Sequence, residues 1–285
     1  MKVLVTGATG FVGSHLVPLL LDKKHIVAIF KRKISKLNNF ENLRNNITVY
    51  NSDTYNEISS GIKEFYPDII IHLATLYVNK HNSEQITNLI DSNITFGTYI
   101  LEAMVENGIK KFINIGTQSQ HFGNKRYHPV NLYAATKEAF RNILAFYKNK
   151  GIRQKTIELF DTYGDGDSRQ KIFKLLIEAC RNKIPLDLTP GEQILDLSCV
   201  DDVCNFLLSH IDIDAFLDNK TIALSGTKIK LRSLGDMIEQ KYNIQGILRW
   251  GVKAYRDNEM MEPPVYYRRI NLNQNSLKKY IDNLL

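Results

Sequence analysis

The sequence is poor in cysteine and has no long apolar run. Its 285 residues include three cysteines (Cys180, Cys199 and Cys204), an odd number without C-x-x-C spacing. This scarcity argues against a disulfide scaffold and against a zinc site, so we expect no metal and a reducing, cytoplasmic compartment. No apolar stretch approaches the roughly 20 residues that span a bilayer. The first ten residues lack the pattern of a secretory signal, and we therefore expect no membrane association.

Acidic residues are fewer than basic ones. The chain has 37 Lys and Arg against 30 Asp and Glu, a net charge of +7, with 44% hydrophobic residues. Such a composition suits one large folded domain or two modest ones. The excess positive charge alone is compatible with binding nucleic acid, acidic lipid or a small anion. The basic residues are scattered and no RNA-binding module is present, so we expect no nucleic-acid partner.

Short apolar runs alternate with longer amphipathic segments through the first 165 residues. The runs lie at 2–6, 25–30, 47–50, 68–73, 111–115 and 156–160. This alternation is typical of βαβ units and predicts an α/β fold with a parallel sheet. After residue 165 helical and strand-like pieces mix without a linker, which predicts a second, smaller lobe that grows out of the sheet.

A glycine-rich loop lies between the first apolar run and the first helical segment. In the sequence TGATGFVG, Gly7 permits a tight turn, Gly10 close approach to a pyrophosphate, and Gly13 close packing of helix on sheet. The N-terminus of the following helix would offer free N–H groups to the anion. The spacing is G-x-x-G-x-x-G, and a glycine turn without a ligand is the alternative. We expect a dinucleotide to contact Gly7, Thr9, Gly10, Phe11, Val12 and Gly13.

No acidic residue ends the second apolar run. An Asp or Glu at that point usually holds the ribose 2′-hydroxyl of NAD, whereas this chain has Lys31 and Arg32. Both could pair with a 2′-phosphate, which favours NADP(H) over NAD(H); ordinary solvated charges are the alternative. Asp53, after the third run, is a candidate for binding the adenine amino group or for capping a helix.

Tyr133 and Lys137 open an amphipathic segment with a spacing of four. This spacing places both side chains on one face of a helix, one turn apart. A neighbouring ammonium favours the ionised form of a phenol, and Lys137 could also reach a nicotinamide ribose. The pair alone is a weak signal, and it becomes strong beside the glycine loop.

Four motifs together resemble the extended short-chain dehydrogenase/reductases that act on nucleotide sugars. They are TGATGFVG, HLAT at 72–75, YAATK at 133–137 and GEQILDLSCVDDV at 191–203. The resemblance is strongest to the branch with CDP-abequose and CDP-paratose synthases, through DTYGDGD at 161–167 and YRDNE at 255–259. It implies a doubly wound Rossmann-type domain over 1–165, to which 195–222 returns. It also implies a mixed α/β substrate lobe over 166–285, and a homodimer.

The resemblance further implies a Ser/Thr–Tyr–Lys active site. Aligning FINIGT with the family strand makes Thr117 the hydroxyl residue, with Ser119 as the alternative and a strand-end cap as the non-catalytic reading. Leu73 and Ala74 should lie beside the cofactor. The candidates for substrate binding are Thr75, Ser119, Arg169, Lys171 and Arg256; each of the three cations is equally well a solvated surface charge. We expect His121 and His128 to be solvent-exposed.

Within this family dehydration, epimerisation and reduction compete. Family dehydratases carry an Asp-Glu pair directly after the catalytic Thr, but this chain has Gln118 and Ser119, which disfavours dehydration. Epimerases and dehydratases regenerate their cofactor, whereas a reductase consumes it, and the basic end of the second run favours NADPH. We therefore expect reduction of a nucleotide-diphosphate-linked 4-keto-6-deoxy sugar for cell-surface polysaccharide. The alternatives are a nucleotide-sugar epimerase and an inert NADPH-binding protein.

Overall fold

The computed structural model of the protein describes residues 1–284. Its strands, in chain order, are β1 (Lys2–Thr6), β2 (Ile26–Lys31), β3 (Ile47–Asn51), β4 (Ile69–His72), β5 (Lys111–Thr117), β6 (Arg153–Leu159), β7 (Asp161–Tyr163), β8 (Leu186–Asp187), β9 (Ile194–Cys199), β10 (Thr221–Ser225), β11 (Thr227–Lys230), β12 (Leu248–Arg249) and β13 (Arg269–Asn271).

The α-helices are α1 (Phe11–Asp22), α2 (Tyr55–Phe65), α3 (Gln85–Ile90), α4 (Phe96–Glu106), α5 (Leu132–Lys148), α6 (Ile172–Asn182), α7 (Val200–His210), α8 (Leu231–Lys241) and α9 (Ser276–Asp282). A π-helical turn, Asp91–Thr95, joins α3 to α4 without a break. Short 3₁₀ segments lie at Asn38–Asn46, Gln118–Gln120, Phe122–Asn124 and Asp214–Phe216. Among the described residues, no helix is both long and apolar enough to cross a membrane.

The large sheet has eight strands in the order β13-β10-β6-β5-β4-β1-β2-β3, and all of its pairings are parallel. The strand order reverses between β1 and β4, which pair from Val3 with Ile69 to Thr6 with His72. Ligands of doubly wound sheets bind at such a reversal, outside the carboxyl ends of the strands. The predicted α/β fold of Rossmann type is confirmed.

Both faces of the large sheet are covered by helices. This explains why β4 begins with three successive isoleucines and why all four of its residues, including His72, are buried. Helices α1 and α7 pack on one face through Leu16, Leu20 and Leu207. Helices α2, α4 and α5 cover the other face, with Phe140 among its buried side chains.

The smaller lobe contains a three-stranded sheet, β11-β9-β7, and a two-stranded sheet, β12-β8. Helices α6, α8 and α9 share a separate apolar core with these strands. Within 195–222, β9 pairs in the small sheet, α7 packs on α1, and β10 joins the large sheet. The chain returns to the large sheet a second time at β13, beyond that segment.

Candidate active site

One cavity of about 1730 Å³ runs along the carboxyl ends of the parallel strands and into the smaller lobe. It is lined by most residues that the sequence singles out. These are Gly7, Thr9, Gly10, Phe11, Val12, Gly13, Lys31, Arg32, Asp53, Leu73, Ala74, Thr75, Thr117, Ser119, Tyr133, Arg169, Lys171 and Arg256. Lys137 does not line the cavity; it is buried one helical turn beyond Tyr133.

The glycine loop has no room for side chains. Gly7 has a φ of +67°, and a Cβ there would lie 2.5 Å from the Ala74 backbone nitrogen. A Cβ on Gly13 would lie 2.4 Å from the Gly7 carbonyl oxygen. Gly10 is the N-cap of α1, with no side-chain cap and no acidic residue in the first turn. The first-turn N–H groups and the positive end of the helix dipole therefore fit a dinucleotide pyrophosphate.

The two basic residues at the end of β2 behave differently. The Lys31 ammonium donates to the backbone carbonyls of Arg32, Lys33 and Ser35, at 3.2, 3.4 and 3.4 Å. Lys31 thus holds the loop after β2 in shape. Arg32 is exposed at the cavity, and its guanidinium makes no hydrogen bond within residues 1–284.

Asp53 supports the same loop. One of its carboxylate oxygens accepts the Lys33 N–H at 3.0 Å. The N-cap of α2 is Thr54, which forms a capping box with Glu57. Asp53 therefore does not cap the helix, and it lies on the cavity wall beside Arg32.

Tyr133 and Lys137 lie in the first turns of α5. Asn131 is the N-cap of this helix, and its side-chain oxygen accepts the Ala134 N–H at 2.9 Å. Burial lowers the pKa of Lys137 to about 8. Burial also raises the pKa of Tyr133, an effect opposed first by the ammonium of Lys171 and also by Thr75 and Arg169.

Thr117 ends β5 and is both a cap and a cavity residue. Its hydroxyl oxygen accepts the Ser119 N–H at 3.3 Å, and its own N–H donates to Gln120 Oε1 at 3.1 Å. The hydroxyl hydrogen donates to no other group within residues 1–284. The next residue, Gln118, is buried, and its amide donates to the Leu224 carbonyl at 3.3 Å.

Asn93 was missed by the sequence analysis. It lies in the π turn, is 1% exposed, and its Oδ1 accepts from Thr75 Oγ at 3.0 Å and from the Leu76 N–H at 2.7 Å. Its Nδ2 donates to the Leu76 carbonyl at 3.0 Å and to Thr136 Oγ at 2.9 Å. Asn93 thereby ties the HLAT segment to the helix that carries Tyr133. An asparagine inside an amphipathic helical segment was the only signal in the sequence.

The expectation that His121 is exposed is wrong. His121 is 1% exposed, and its Nε2 lies 3.1 Å from Glu158 Oε1, on the neighbouring strand β6. Burial opposes the charged ring, but Glu158 and two backbone carbonyls outweigh it and raise the His121 pKa. His128 is half-buried against the Phe122 ring. The loop after Thr117 therefore packs on the sheet at His121, whereas its residues 123–127 are exposed.

The candidate substrate cations are already paired. Arg169 donates to Asp167 Oδ1 through Nε at 2.7 Å and lies 4.3 Å from the centroid of the Phe11 ring. Lys171 donates to Asp161 Oδ1 at 2.9 Å. The exposed Arg256 pairs with Glu259 at 3.0 Å.

Residues 3–222 match the sequence model of the NAD dependent epimerase/dehydratase family. The chain belongs to this family. The enzyme is therefore an NAD(P)-dependent oxidoreductase of the extended short-chain dehydrogenase/reductase type, with a nicotinamide cofactor.

The enzyme is 30% identical over 285 residues to a CDP-abequose synthase from Yersinia pseudotuberculosis, covering 99% of this chain and 98% of that protein. It is 26% identical to a CDP-abequose synthase from Salmonella muenchen, covering 92% of this chain and 87% of that protein. Its fold is similar to the crystal structure of UDP-glucose 4-epimerase with UDP-glucose from Thermotoga maritima. That comparison has a TM-score of 0.81 at 21% identity and covers 94% of this chain and 90% of the other.

Proposed function

We propose that the enzyme uses NADPH to reduce a nucleotide-linked 4-keto-6-deoxy sugar, in the synthesis of cell-surface polysaccharide precursors. The observation that carries the proposal is the uncompensated Arg32 guanidinium at the cofactor end of the cavity, where no carboxylate ends β2. A 2′-phosphate suits that position. The similarity to two CDP-abequose synthases supports CDP as the nucleotide.

Bound NADPH would supply the hydride. The glycine loop and the first turn of α1 would hold its pyrophosphate, and Arg32 its 2′-phosphate. The Thr117 hydroxyl would donate a hydrogen bond to the C4 carbonyl oxygen, and the Tyr133 hydroxyl would give its proton to that oxygen as charge develops. Lys137 would lie behind Tyr133 on the same helix face, and Thr75 would contact the sugar.

The position after Thr117 supports reduction over dehydration. Gln118 directs its amide into the protein, toward Leu224, and Ser119 lines the cavity without an acidic group. Neither residue can move a proton at C5 or C6 as a carboxylate would. Thr117 and Tyr133 are enough for a carbonyl reduction, which needs a single proton donor.

We also propose that the enzyme works in the cytoplasm as a homodimer. The three cysteines are free, which suits a reducing compartment. Large apolar side chains are exposed at Ile90, Tyr99 and Phe146, in the helical segments 90–106 and 133–147 that the family resemblance pairs across a dimer. Light scattering after size-exclusion chromatography tests this; a monomeric mass at micromolar concentration would contradict it.

The purified enzyme should be incubated with CDP-, dTDP-, GDP- and UDP-linked 4-keto-6-deoxyhexoses, each with NADPH or NADH. The proposal expects one NADPH oxidised for each sugar reduced, with the CDP sugar preferred. Product formation without net oxidation would overturn it in favour of an epimerase, the reaction that the family description also covers. NADPH binding without turnover of any sugar would favour an inert binding protein.

A further inference from the structure

Three side chains from separate segments form a cluster against Tyr133. Asp161 begins β7, Lys171 is the residue before α6, and Tyr77 lies in the loop after β4. The Lys171 ammonium lies 2.9 Å from Asp161 Oδ1 and 4.4 Å from the centroid of the Tyr77 ring. The Tyr77 ring meets the Tyr133 ring edge to face, with centroids 5.0 Å apart and planes at 79°. Lys171 is thus fixed on two sides beside Tyr133.

Two lysines are candidates for the cation that favours the Tyr133 phenolate. Burial lowers the pKa of Lys137 to about 8, and its ammonium has no hydrogen-bond partner within residues 1–284. Burial also opposes the charge on Lys171, but Asp161 and Tyr77 outweigh it, and the Lys171 pKa is raised. Lys171 therefore keeps its charge through the neutral range, whereas Lys137 begins to lose its own.

The charged and titratable groups that face Tyr133 come from both lobes. Lys171 and Arg169 approach from the segment before α6, and Tyr77 from the loop after β4. On α5 itself, Lys137 follows Tyr133 by one helical turn. Of these, Lys171 has the largest effect that lowers the Tyr133 pKa. Arg169 is already neutralised by Asp167 at 2.7 Å and lies on Phe11, toward the glycine loop.

We propose that Lys171, held by Asp161 and Tyr77, is a positioning residue that sets how readily the Tyr133 hydroxyl gives up its proton. This rests on the proposed function only in taking Tyr133 as the proton donor. It reassigns Lys171 from a ligand of the sugar diphosphate to a fixed electrostatic partner of the reacting group. Because Lys171 belongs to the smaller lobe and Tyr133 to the larger one, the proton donor is complete only when the two lobes are assembled.

The test measures the ionisation of Tyr133 without any substrate. The protein is labelled with 3-fluorotyrosine, the Tyr133 resonance is assigned by its loss in Tyr133→Phe, and its ¹⁹F shift is followed against pH. Lys171→Met should raise the Tyr133 pKa by about one unit, since it removes a nearby opposite charge. Lys171→Arg should restore most of the shift. Lys174→Met is the matched control, because Lys174 lies three residues further on, in the first turn of α6, and pairs with Glu178 instead; it should leave the titration unchanged.

An unchanged Tyr133 titration in Lys171→Met would overturn the proposal, as would a rise in KM for the nucleotide sugar without any shift in the pH profile of kcat. Lys171→Gln, which keeps a polar side chain of similar length, is measured in parallel in case the methionine variant does not fold. The ¹⁹F titration gives its answer whether or not the enzyme reduces a 4-keto sugar. A failure of the proposed function and a failure of this inference are therefore distinguishable.

Discussion

Lys31 and Arg32 are adjacent and carry the same charge, yet the fold gives them different surroundings. The Lys31 ammonium is surrounded by backbone carbonyls, so its charge stabilises a loop. Arg32 alone presents a free guanidinium to the cavity. The sequence showed two candidate ligands for a 2′-phosphate; the local hydrogen bonds leave one of them free.

Arg32→Ala should therefore weaken the binding of NADPH and leave the binding of NADH almost unchanged. Hydrogen bonds to a charged group contribute roughly 1.5–3 kcal/mol, so KM for NADPH should rise by about ten- to a hundred-fold. Steady-state kinetics with both cofactors measures this. The control is Lys33→Ala, because the Lys33 ammonium pairs with Glu57 at 3.3 Å. Equal losses for both cofactors would argue against a 2′-phosphate contact.

Tyr133→Phe should reduce kcat by about 10²- to 10⁴-fold, because the proton donor is lost while the ring remains. NADPH binding, followed by fluorescence titration, should stay within a factor of a few. Tyr147→Phe is the control: Tyr147 lies on the same helix, but its hydroxyl donates to Glu102 at 2.7 Å. Near-normal turnover in Tyr133→Phe would remove Tyr133 from the chemistry.

The helix from Gln85 to Glu106 is interrupted by a π turn at the point where it passes the cavity. The wider turn brings Asn93 to the loop after β4 and to α5 at once, with four hydrogen bonds. π turns inside α-helices are frequent at functional sites. This element therefore joins the cavity wall at Thr75 to the helix that carries Tyr133.

Asn93→Ala should lower the free energy of unfolding by about 2–4 kcal/mol, because buried groups of Leu76 and Thr136 lose their partner. Urea denaturation measures the loss. Asn107→Ala removes one hydrogen bond, to the Ala103 carbonyl at the end of α4, and should cost about 1 kcal/mol. If both variants lose the same free energy of unfolding, the four hydrogen bonds of Asn93 stabilise the protein no more than the single one of Asn107.

The large sheet could be predicted from the sequence, because a strand buried on both faces leaves a short apolar run that is easily read. The three-residue strand β13 leaves no such run, and its place beside β10 depends on contacts with distant residues. The burial of His121 could not be predicted for the same reason. Its partner Glu158 is 37 positions away, on a strand whose lone glutamate reads as solvent-facing. Ion pairs between distant segments are set by topology, so local patterns do not reveal them.

At the scale of the whole molecule, the buried ammonium of Lys137 lowers the free energy of unfolding, by an amount that depends on pH. Lys137 has a pKa of about 8 in the folded chain and 10.5 as a free side chain. Below pH 8 the lysine is charged in both states, and burying that charge opposes folding. Between pH 8 and 10.5 folding releases the proton, and the cost disappears across this range. The cost is about 3 kcal/mol at pH 7, from about 1.36 kcal/mol for each pKa unit.

Lys137→Met should accordingly unfold at a higher urea concentration than the wild type at pH 7, while losing activity. The difference should shrink as the pH is raised toward 10, because the folded wild type then holds Lys137 as the neutral amine and no longer buries a charge. Urea unfolding at pH 6, 7, 8, 9 and 10 measures this. A methionine variant that is less stable than the wild type at every pH would show that the ammonium is well solvated or paired.

The position of β13 also has a consequence for how the chain is made. Strand β10 has one neighbour in β6 and gains its other neighbour only from residues 269–271, which are synthesised after it. Until they arrive, the growing chain carries a parallel strand with an open edge, a ready template for pairing with other chains. Arg269 then binds Asp196 at 2.8 Å, which links this edge to the smaller lobe. Strand β13 is itself the outer strand of the finished sheet, so the long edge of β10 is replaced by an edge of only three residues.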